Sequence, residues 1–442
     1  MHQYATSFMC YTLRLVAHCL LPVLLLGIWA SPSMGQMEYR AQLTAKKVGT
    51  WKNASANALP LPMPFAKARW LEKVDQDSIA DLLLLKVELV YTRYQESDAF
   101  SQSQLNRQRL RAFQKTLPTQ WANPLVEWAM VEQTGATDKA TAQGLFHGFV
   151  LHFRAPHSAA STTSELAFLR AFRDDLLKYS SETPPDLSVV GGTRMYNDTN
   201  ISGIKQRWDD RVGYVYDTVY TVRKMAYKPQ VKRTAADSGL YVALSEAVTW
   251  KNNAVVCDVT GSMSRYTAQM LEWVRYTGKQ AKVDYYLFFN DGNNKPTVRK
   301  KLGSTGGLYG TKVTDFNTIF ETIAKAMKRG NGGDGPENDM EALLEAQTVC
   351  TSCQHLILIA DNDAPVRDLE LLPQLRLPVH VFACGNRKGI NPEYLDIVRK
   401  TGGSLHAGNE IIENLHELTN GDEIKVGDWR FQVVAGHFQR QY

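Results

Sequence analysis

Apolar residues follow two different rhythms along this 442-residue chain. In the second half they come as short continuous runs: NNAVVCDV (252–259), VDYYLFFND (283–291), HLILIAD (355–361) and PVHVFACG (378–385). Runs of this length, rich in Val, Ile and aromatics, predict strands buried on both faces. Between them the spacing changes to three and four residues, predicting helices over SRYTAQMLEWVRYTGK (264–279), DFNTIFETIAKAMKRG (315–330), PENDMEALLEAQ (336–347, with Pro336 at its start) and NPEYLDIVRKTG (391–402). The last of these carries its own punctuation: Asn391 as cap, Pro392 at the first position and Gly402 as the stop. VRDLELLPQL (366–375) predicts a short helix interrupted by Pro373, SLHAG (404–408) a short strand, and EIIENLHEL (410–418) a last helix. Strands alternating with helices predict an α/β unit, a doubly wound and mostly parallel open sheet covered on both faces. The tail, GDEIKVGDWRFQVVAG (421–436), predicts a β-hairpin turning at Gly427-Asp428.

The first half is less regular. ALPLPMPFAKA (58–68) predicts an extended segment punctuated by proline. SIADLLLLKVELVYTRY (78–94) fits a helix or a buried strand, since a continuous Leu run carries no period. SQSQLNRQRLRAFQKTL (101–117) predicts a helix, and GLFHGFVLHFRAP (144–156) a strand ended by Pro156. TSELAFLRAFRDDLLKYS (163–180) predicts a helix capped by Thr163, with Leu166, Phe168, Leu169, Phe172, Leu176 and Leu177 on its apolar face. Alternation over 205–227 predicts further strands. The expected organisation is a leader over 1–35, an α+β domain of unknown type over 36–235, an α/β domain over 248–418, and the C-terminal hairpin over 419–442. QVKRTAADSG (230–239) reads as the linker.

Composition and charge narrow the function class. Hydrophobic residues make up 44% and charged residues 21%, which excludes a largely disordered or fibrous chain. A net charge of +5 from 50 basic and 45 acidic residues is too weak a bias for a nucleic-acid footprint, so no nucleic-acid partner is expected. MHQYATSFMCYTLR carries one Arg and no acid, and LVAHCLLPVLLLGIWA is an apolar run followed by small residues at Ser33 and Gly35. That is the order of a signal peptide, with cleavage before Gln36. The run contains Pro22 and is short for a membrane span. The expected protein is exported, to the periplasm, the cell envelope or the medium, with no transmembrane segment after cleavage. An exported compartment permits disulfides. Cys350 and Cys353 form a CxxC that closes a helical pattern instead of opening one, which favours a local disulfide or two plain thiols over redox catalysis. Cys257 and Cys384 lie in apolar strand runs and read as buried thiols.

Chemistry concentrates at the predicted strand ends. Asp258 closes one strand, with Thr260 and Ser262 at alternate positions on the turn after it, and Asp361 closes another. Asp334 sits in the glycine-rich GNGGDGPEND. Ligands of such sheets bind beyond the carboxyl ends of the strands, and carboxylate with hydroxyl oxygens suits Mg²⁺ best, with Ca²⁺ or Mn²⁺ as alternatives. Taken alone, DVTGS reads equally as a structural turn, an Asx-turn or helix cap, and as a metal cup. Asp291 and Asp363 read as turn residues, and His147, His152 and His157, five apart, as unrelated side chains. No HExxH, GxSxG or GxxxxGK[ST] occurs, so no catalytic residue is assigned.

Over about residues 250–418 the pattern resembles the von Willebrand factor A-type (VWA) domain with its metal-ion-dependent adhesion site. Asp258-Val-Thr260-Gly-Ser262 matches the family's Asp-x-Ser/Thr-x-Ser after a buried strand, and Asp361 in LILIADND matches its later strand-ending Asp. The resemblance implies a Rossmann-like fold, a divalent metal held by Asp258, Thr260, Ser262 and Asp361, and a non-catalytic role in metal-dependent binding of a protein partner. Where the family usually presents a Thr, GGDGPEN offers Asp334. Three carboxylates leave a divalent ion less electropositive, so an acidic partner group is expected to bind it less avidly, or the ion serves structure. Two other readings remain open at this point: an enzyme whose site lies in residues 36–235 with the VWA unit as docking module, and an envelope component with a purely structural metal.

Overall fold

The computed structural model describes residues 32–442 except 54, 94–96, 98, 179–193, 210–212, 228–238, 247–249, 278–281, 313–314, 331–334, 386–388 and 409; for 32–34, 194–227, 246 and 277 the backbone alone is described. The apolar run of the leader and the linker at 230–239, Gly239 excepted, therefore lie outside the described residues, and the expected cleavage point before Gln36 falls within the first helix, α1 (Pro32–Ala41). Among the described residues no helix is long and apolar enough to cross a membrane.

The first sheet is built from β1 (Ala45–Val48), β2 (Ala58–Pro62), β3 (Leu84–Thr92), β4 (Glu127–Gln133) and β5 (Gly148–Phe153), in the order β1-β4-β3-β5-β2. β3 pairs parallel with β4 and antiparallel with β5. The ambiguous Leu run thus resolves as a strand, preceded by the single turn α2 (Asp77–Ala80). Helices α3 (Gln102–Thr116) and α4 (Pro118–Ala122) place Leu110, Phe113, Leu117 and Trp121 against Val87, Leu89, Trp128 and Phe149 of the sheet. The short α5 (Lys139–Gly144) leads into β5.

Helix α6 (Ala159–Leu176) begins as predicted in kind but not in detail. Its cap is Ser158, whose hydroxyl accepts from the Ser161 amide in a reciprocal capping box. Thr163 lies inside the helix and donates to the Ala159 carbonyl. Leu166, Leu169 and Leu176 are buried, whereas Phe168 and Leu177 are exposed. The buried face does not pack on the first sheet. It joins the core of the second one, against Met263, Leu271 and Phe320. Strands β6 (Arg194–Asp209) and β7 (Gly213–Tyr227) form a long antiparallel ribbon, as the alternation predicted, and α7 (Gly239–Glu246) follows.

The second sheet has seven strands, mixed in direction: β8 (Asn253–Asp258), β9 (Val283–Phe289), β10 (Leu308–Thr311), β11 (His355–Asp361), β12 (Val379–Cys384), β13 (Leu405–Ala407) and β14 (Glu410–Ile412), in the order β10-β9-β8-β11-β12-β13-β14. The five central strands are parallel and the two edges antiparallel. Every residue of β8 is buried, which is why its sequence shows no alternation. Helices α8 (Ser264–Thr277) and α9 (Phe316–Arg329) cover one face together with α6 and α7. Helices α10 (Asp339–Val349) and α11 (Pro392–Thr401) cover the other. The predicted helix over 410–418 is instead β14 and a 3₁₀ turn at Leu415–Glu417; Asn414, with φ 61°, sits between them in the left-handed region and stops any helix. The tail turns at Gly427-Asp428 as predicted but continues into a third strand, giving the meander β15 (Glu423–Val426), β16 (Trp429–Val434) and β17 (His437–Gln441). Cys350 and Cys353 are disulfide-bonded, and Cys257 and Cys384 are buried free thiols.

At the amino ends of the parallel strands three histidines form one chain. His355 Nδ1 meets His380 Nε2 at 3.0 Å, His380 Nδ1 meets Ser404 Oγ at 2.7 Å, and Ser404 Oγ meets His406 Nε2 at 2.8 Å. Trp250 stacks on His380 and Phe382 on His406. Burial holds His380 down to about 3 and His406 down to about 4, so both rings are neutral at pH 7. An unfolded histidine titrates near 6.5; the folded pKa is the lower one, so this contribution to stability is complete above pH 6.5 and is lost as pH falls. His406→Phe keeps the stack on Phe382 and removes the titration. Relative to wild type, the variant is expected to gain about 2 kcal/mol between pH 7 and pH 5, read from urea unfolding at both values. The wild-type comparison cancels the buried carboxylates, whose raised pKa values act in the opposite direction. Parallel unfolding curves at both pH values count against a buried neutral His406.

Candidate functional site

β8 and β11 lie side by side, and the chain leaves β8 toward β9 on one side and β11 toward β12 on the other. The strand order therefore reverses between them, and Asp258 and Asp361 end these two strands. Asp258 is fully buried. Its Oδ1 accepts from the Thr260 amide at 2.7 Å, an Asx-turn, while Oδ2 makes no well-formed hydrogen bond. Thr260, 2% exposed, caps the 3₁₀ turn Gly261–Met263 by its backbone only, and its Oγ1 also makes no well-formed hydrogen bond. The turn and the cup are thus one structure: one carboxylate oxygen shapes the loop and the other is left over. Ser262 Oγ donates to Asp361 Oδ2 at 2.7 Å, so the first motif reaches across to the second strand. Asp361 Oδ1 accepts from the Asp363 amide at 2.8 Å, and the Tyr394 hydroxyl fixes the Asp361 carbonyl at 2.9 Å.

Asp334 lies outside the described residues. Beyond it, the chain contributes two carboxylates to this region that the sequence reading missed. Glu337 bridges to Val366, is 5% exposed, and leaves Oε2 without a partner. Asp339 is fully buried with neither carboxylate oxygen hydrogen-bonded. Both stand just after Pro336, where acids are the ordinary charges of a helix's first turn. That role falls instead to Asp368, which accepts from the Met340 and Glu341 amides at 3.0 and 2.7 Å. Burial, then repulsion among the neighbouring acids, raises Glu337 and Asp339 well above the usual carboxylate range. Asp258 is pushed up to about 7, by burial first and by Asp361, against the pull of the Thr260 amide.

One cation faces this group from the first sheet. Arg154 follows β5, and its guanidinium bonds both Asp361 and Asp363: Nη1 to Asp361 Oδ2, and Nη2 to Asp363 Oδ2 at 2.9 Å and to Asp361 Oδ1 at 3.4 Å. Burial opposes its charge, but Asp361, Asp363 and Glu337 outweigh that and raise its pKa above the ordinary arginine value. Asp363 is therefore an ion-pair residue as well as a turn residue. Asp291 is one too: fully buried, it accepts from Lys300 and from Arg367 Nη2 at 3.1 Å. Three residues beyond Arg154, the His157 ring lies where a Cβ on Gly261 would stand, and its Nδ1 is 3.6 Å from Glu165. His147 packs on Phe65 and His152 pairs with Glu88, so the three histidines share no site, as expected.

Among the described residues, the group of His, Cys or carboxylate ligand atoms lying within 4.8 Å of one another is Asp284, Cys350 and Cys353. The disulfide removes both thiolates from that group, so it offers no metal ligation as it stands. Compared with family models, with curated proteins and with solved structures, the chain matches none.

Proposed function

We propose that the cup at the ends of β8 and β11 holds a divalent cation and through it docks a protein partner, in the manner of the VWA-type domain the sequence resembles. The observation that carries this reading is a pair of buried oxygens, Asp258 Oδ2 and Thr260 Oγ1, that make no well-formed hydrogen bond and are in contact only with each other, beside Ser262 and Asp361 at the sheet's switch point. A buried polar atom left unbonded costs about 1–3 kcal/mol, and a cation is the ligand that satisfies a carboxylate and a hydroxyl together. The donor set is all oxygen, which suits Mg²⁺ and admits Mn²⁺ or Ca²⁺. Asp258, Thr260, Ser262 and Asp361 would hold the ion, directly or through water, with Asp334 expected from its loop and Glu337 within its electrostatic reach. The ion supplies a positive charge that a partner's oxygen can complete. The strand order, reversing between β8 and β11, and a five-strand parallel centre with antiparallel edges support the same reading. The apolar leader and the Cys350–Cys353 disulfide support an exported location, at the envelope or beyond.

The test is calorimetry on EDTA-treated protein with Mg²⁺ and Mn²⁺. One site per chain is expected, lost in Asp258→Ala at unchanged circular dichroism. Folded protein that binds neither ion overturns the reading. Capture of an envelope component that is released by EDTA separates docking from a purely structural ion.

A further inference from the structure

We propose that Arg154 is the cup's built-in cation: it occupies the acidic cup of the metal-free protein and gives up its place on Asp361 when a divalent ion binds. The inference rests on the cation reading above and concerns the regulation of the same site.

Three observations carry it. First, the guanidinium is directed at the cup and anchored behind. The Arg154 amide donates to the Leu83 carbonyl at 2.8 Å, which fixes the backbone just past the end of β5 at Phe153. The side chain then crosses to the second sheet and makes a forked contact with Asp361 and Asp363 across 207 and 209 positions of sequence. Forked guanidinium–carboxylate contacts are specific in geometry as well as charge. Second, the contact consumes what a metal needs. Asp361 Oδ2 already accepts from Arg154 and from Ser262, and Oδ1 from the Asp363 amide and Arg154. An ion drawing on Asp361 displaces at least one of these donors, and the one it repels is the guanidinium. Third, the exchange is incomplete in the Arg-bound state. Asp258 Oδ2, Thr260 Oγ1 and Glu337 Oε2 remain without well-formed hydrogen bonds although Arg154 is close enough to feel Glu337. One planar monocation satisfies Asp361 and Asp363 and leaves the deeper oxygens to a smaller, doubly charged ion.

The exchange also has a mechanical consequence. Arg154 ties the first sheet to the cup, while α6, starting five residues later, stays fixed in the second core through Leu166 and Leu169. Metal binding therefore loosens the Arg154 end of this segment, while His157 against Gly261 and the Ser158 capping box hold its far end and neither core unpacks. Arg154 is the charged link by which the cup and the first sheet report on each other.

The experiment is Mn²⁺ titration calorimetry on the full chain for wild type, Arg154→Gln and Arg154→Lys, with amide hydrogen exchange of 153–158 measured in wild type with and without the ion. The Gln variant is expected to bind Mn²⁺ about tenfold more tightly than wild type, with Lys between them. Exchange over 153–158 is expected to speed up when wild type takes the ion. Equal or weaker affinity in the Gln variant overturns the proposal while leaving the cation reading standing. Absence of Mn²⁺ binding in wild type and in both variants overturns the cation reading itself, and this inference with it. If the Gln variant does not fold, the Lys variant and the exchange data decide: unchanged affinity in Lys, or exchange unmoved by Mn²⁺, counts against it.

Discussion

Asp361→Ala is expected to lower stability by about 3 kcal/mol even with EDTA present, and to abolish divalent-ion binding. The side chain is where three elements meet: the Ser262 hydroxyl from the first motif, the Asp363 amide from its own loop, and Arg154 from the other sheet. Alanine leaves Arg154 with Asp363 alone, a carboxylate 21% exposed and too far out to replace a partner that is only 3% exposed. Part of the loss is offset because Asp361 no longer repels Asp258 and Glu337. Urea unfolding in EDTA separates the ion pair from any metal contribution. The double variant Arg154→Met with Asp361→Ala then measures the coupling, which is expected to recover about 1–2 kcal/mol of the single-site loss. Asp361→Asn keeps the shape and the Asp363 amide bond but removes the negative charge and leaves one acceptor oxygen, and is expected to cost less stability than alanine while still losing the ion. A midpoint for Asp361→Ala within about 0.5 kcal/mol of wild type places this contact among ordinary surface pairs and removes the physical basis for a competed cup.

What the sequence carried and what it withheld divide along the range of the interactions. Helix α11 was legible to the residue: Asn391 accepts from the Glu393 amide, Pro392 opens the helix, and Gly402 ends it at φ 73°. Each of those signals acts within four positions. The buried strands β8, β9, β11 and β12 were legible because a sheet covered on both faces must be apolar at every position. Strands β1, β4 and β10 were not read at all. β1 and β10 are four-residue pieces on the sheet edges, only partly buried, and β4 mixes Glu127, Glu132 and Gln133 with its apolar residues. Those polar groups are explained only by neighbours far away, such as the Trp51 amide on Gln133 and the Tyr91 hydroxyl on Glu132. The cup follows the same division. Asp258, Thr260, Ser262 and Asp361 stood out because a carboxylate ending an apolar run is a local anomaly. Glu337 and Asp339 did not, since acids just after a proline look like ordinary helix starts. Arg154 carried no signal whatever, being one more basic residue at a strand end until the fold brings it against Asp361.

The residue most misjudged by local reading is Asp291, and its replacement by alanine is expected to cost about 3–5 kcal/mol. In FFNDGNN it reads as a turn former, and its φ of 54° agrees with that. Yet its carboxylate is fully buried between the Lys300 ammonium, 1% exposed, and Arg367. Alanine removes the anion from beside two cations and adds a residue that tolerates the left-handed backbone less well than Asp does. The loss does not stay in the turn. Arg367 Nη2 also donates to the Pro336 carbonyl at 2.6 Å, and its amide donates to the Glu337 carbonyl at 2.7 Å, so the Asp291 carboxylate steadies the segment that places Glu337 near the cup. In whatever fraction of Asp291→Ala still folds, Mn²⁺ affinity is therefore expected to fall about tenfold, although Asp291 is not offered as a ligand. Asp291→Asn is the control: it keeps the backbone tolerance and one acceptor and removes only the charge, so its cost is expected to lie between those of wild type and alanine. Wild-type stability in the Asn variant beside a destabilised Ala variant would mean that the backbone conformation, not the ion cluster, is what this position supplies. Unaltered Mn²⁺ affinity in a destabilised Ala variant would cut the link from Asp291 through Arg367 to Glu337, and leave the cup resting on the two strand ends alone.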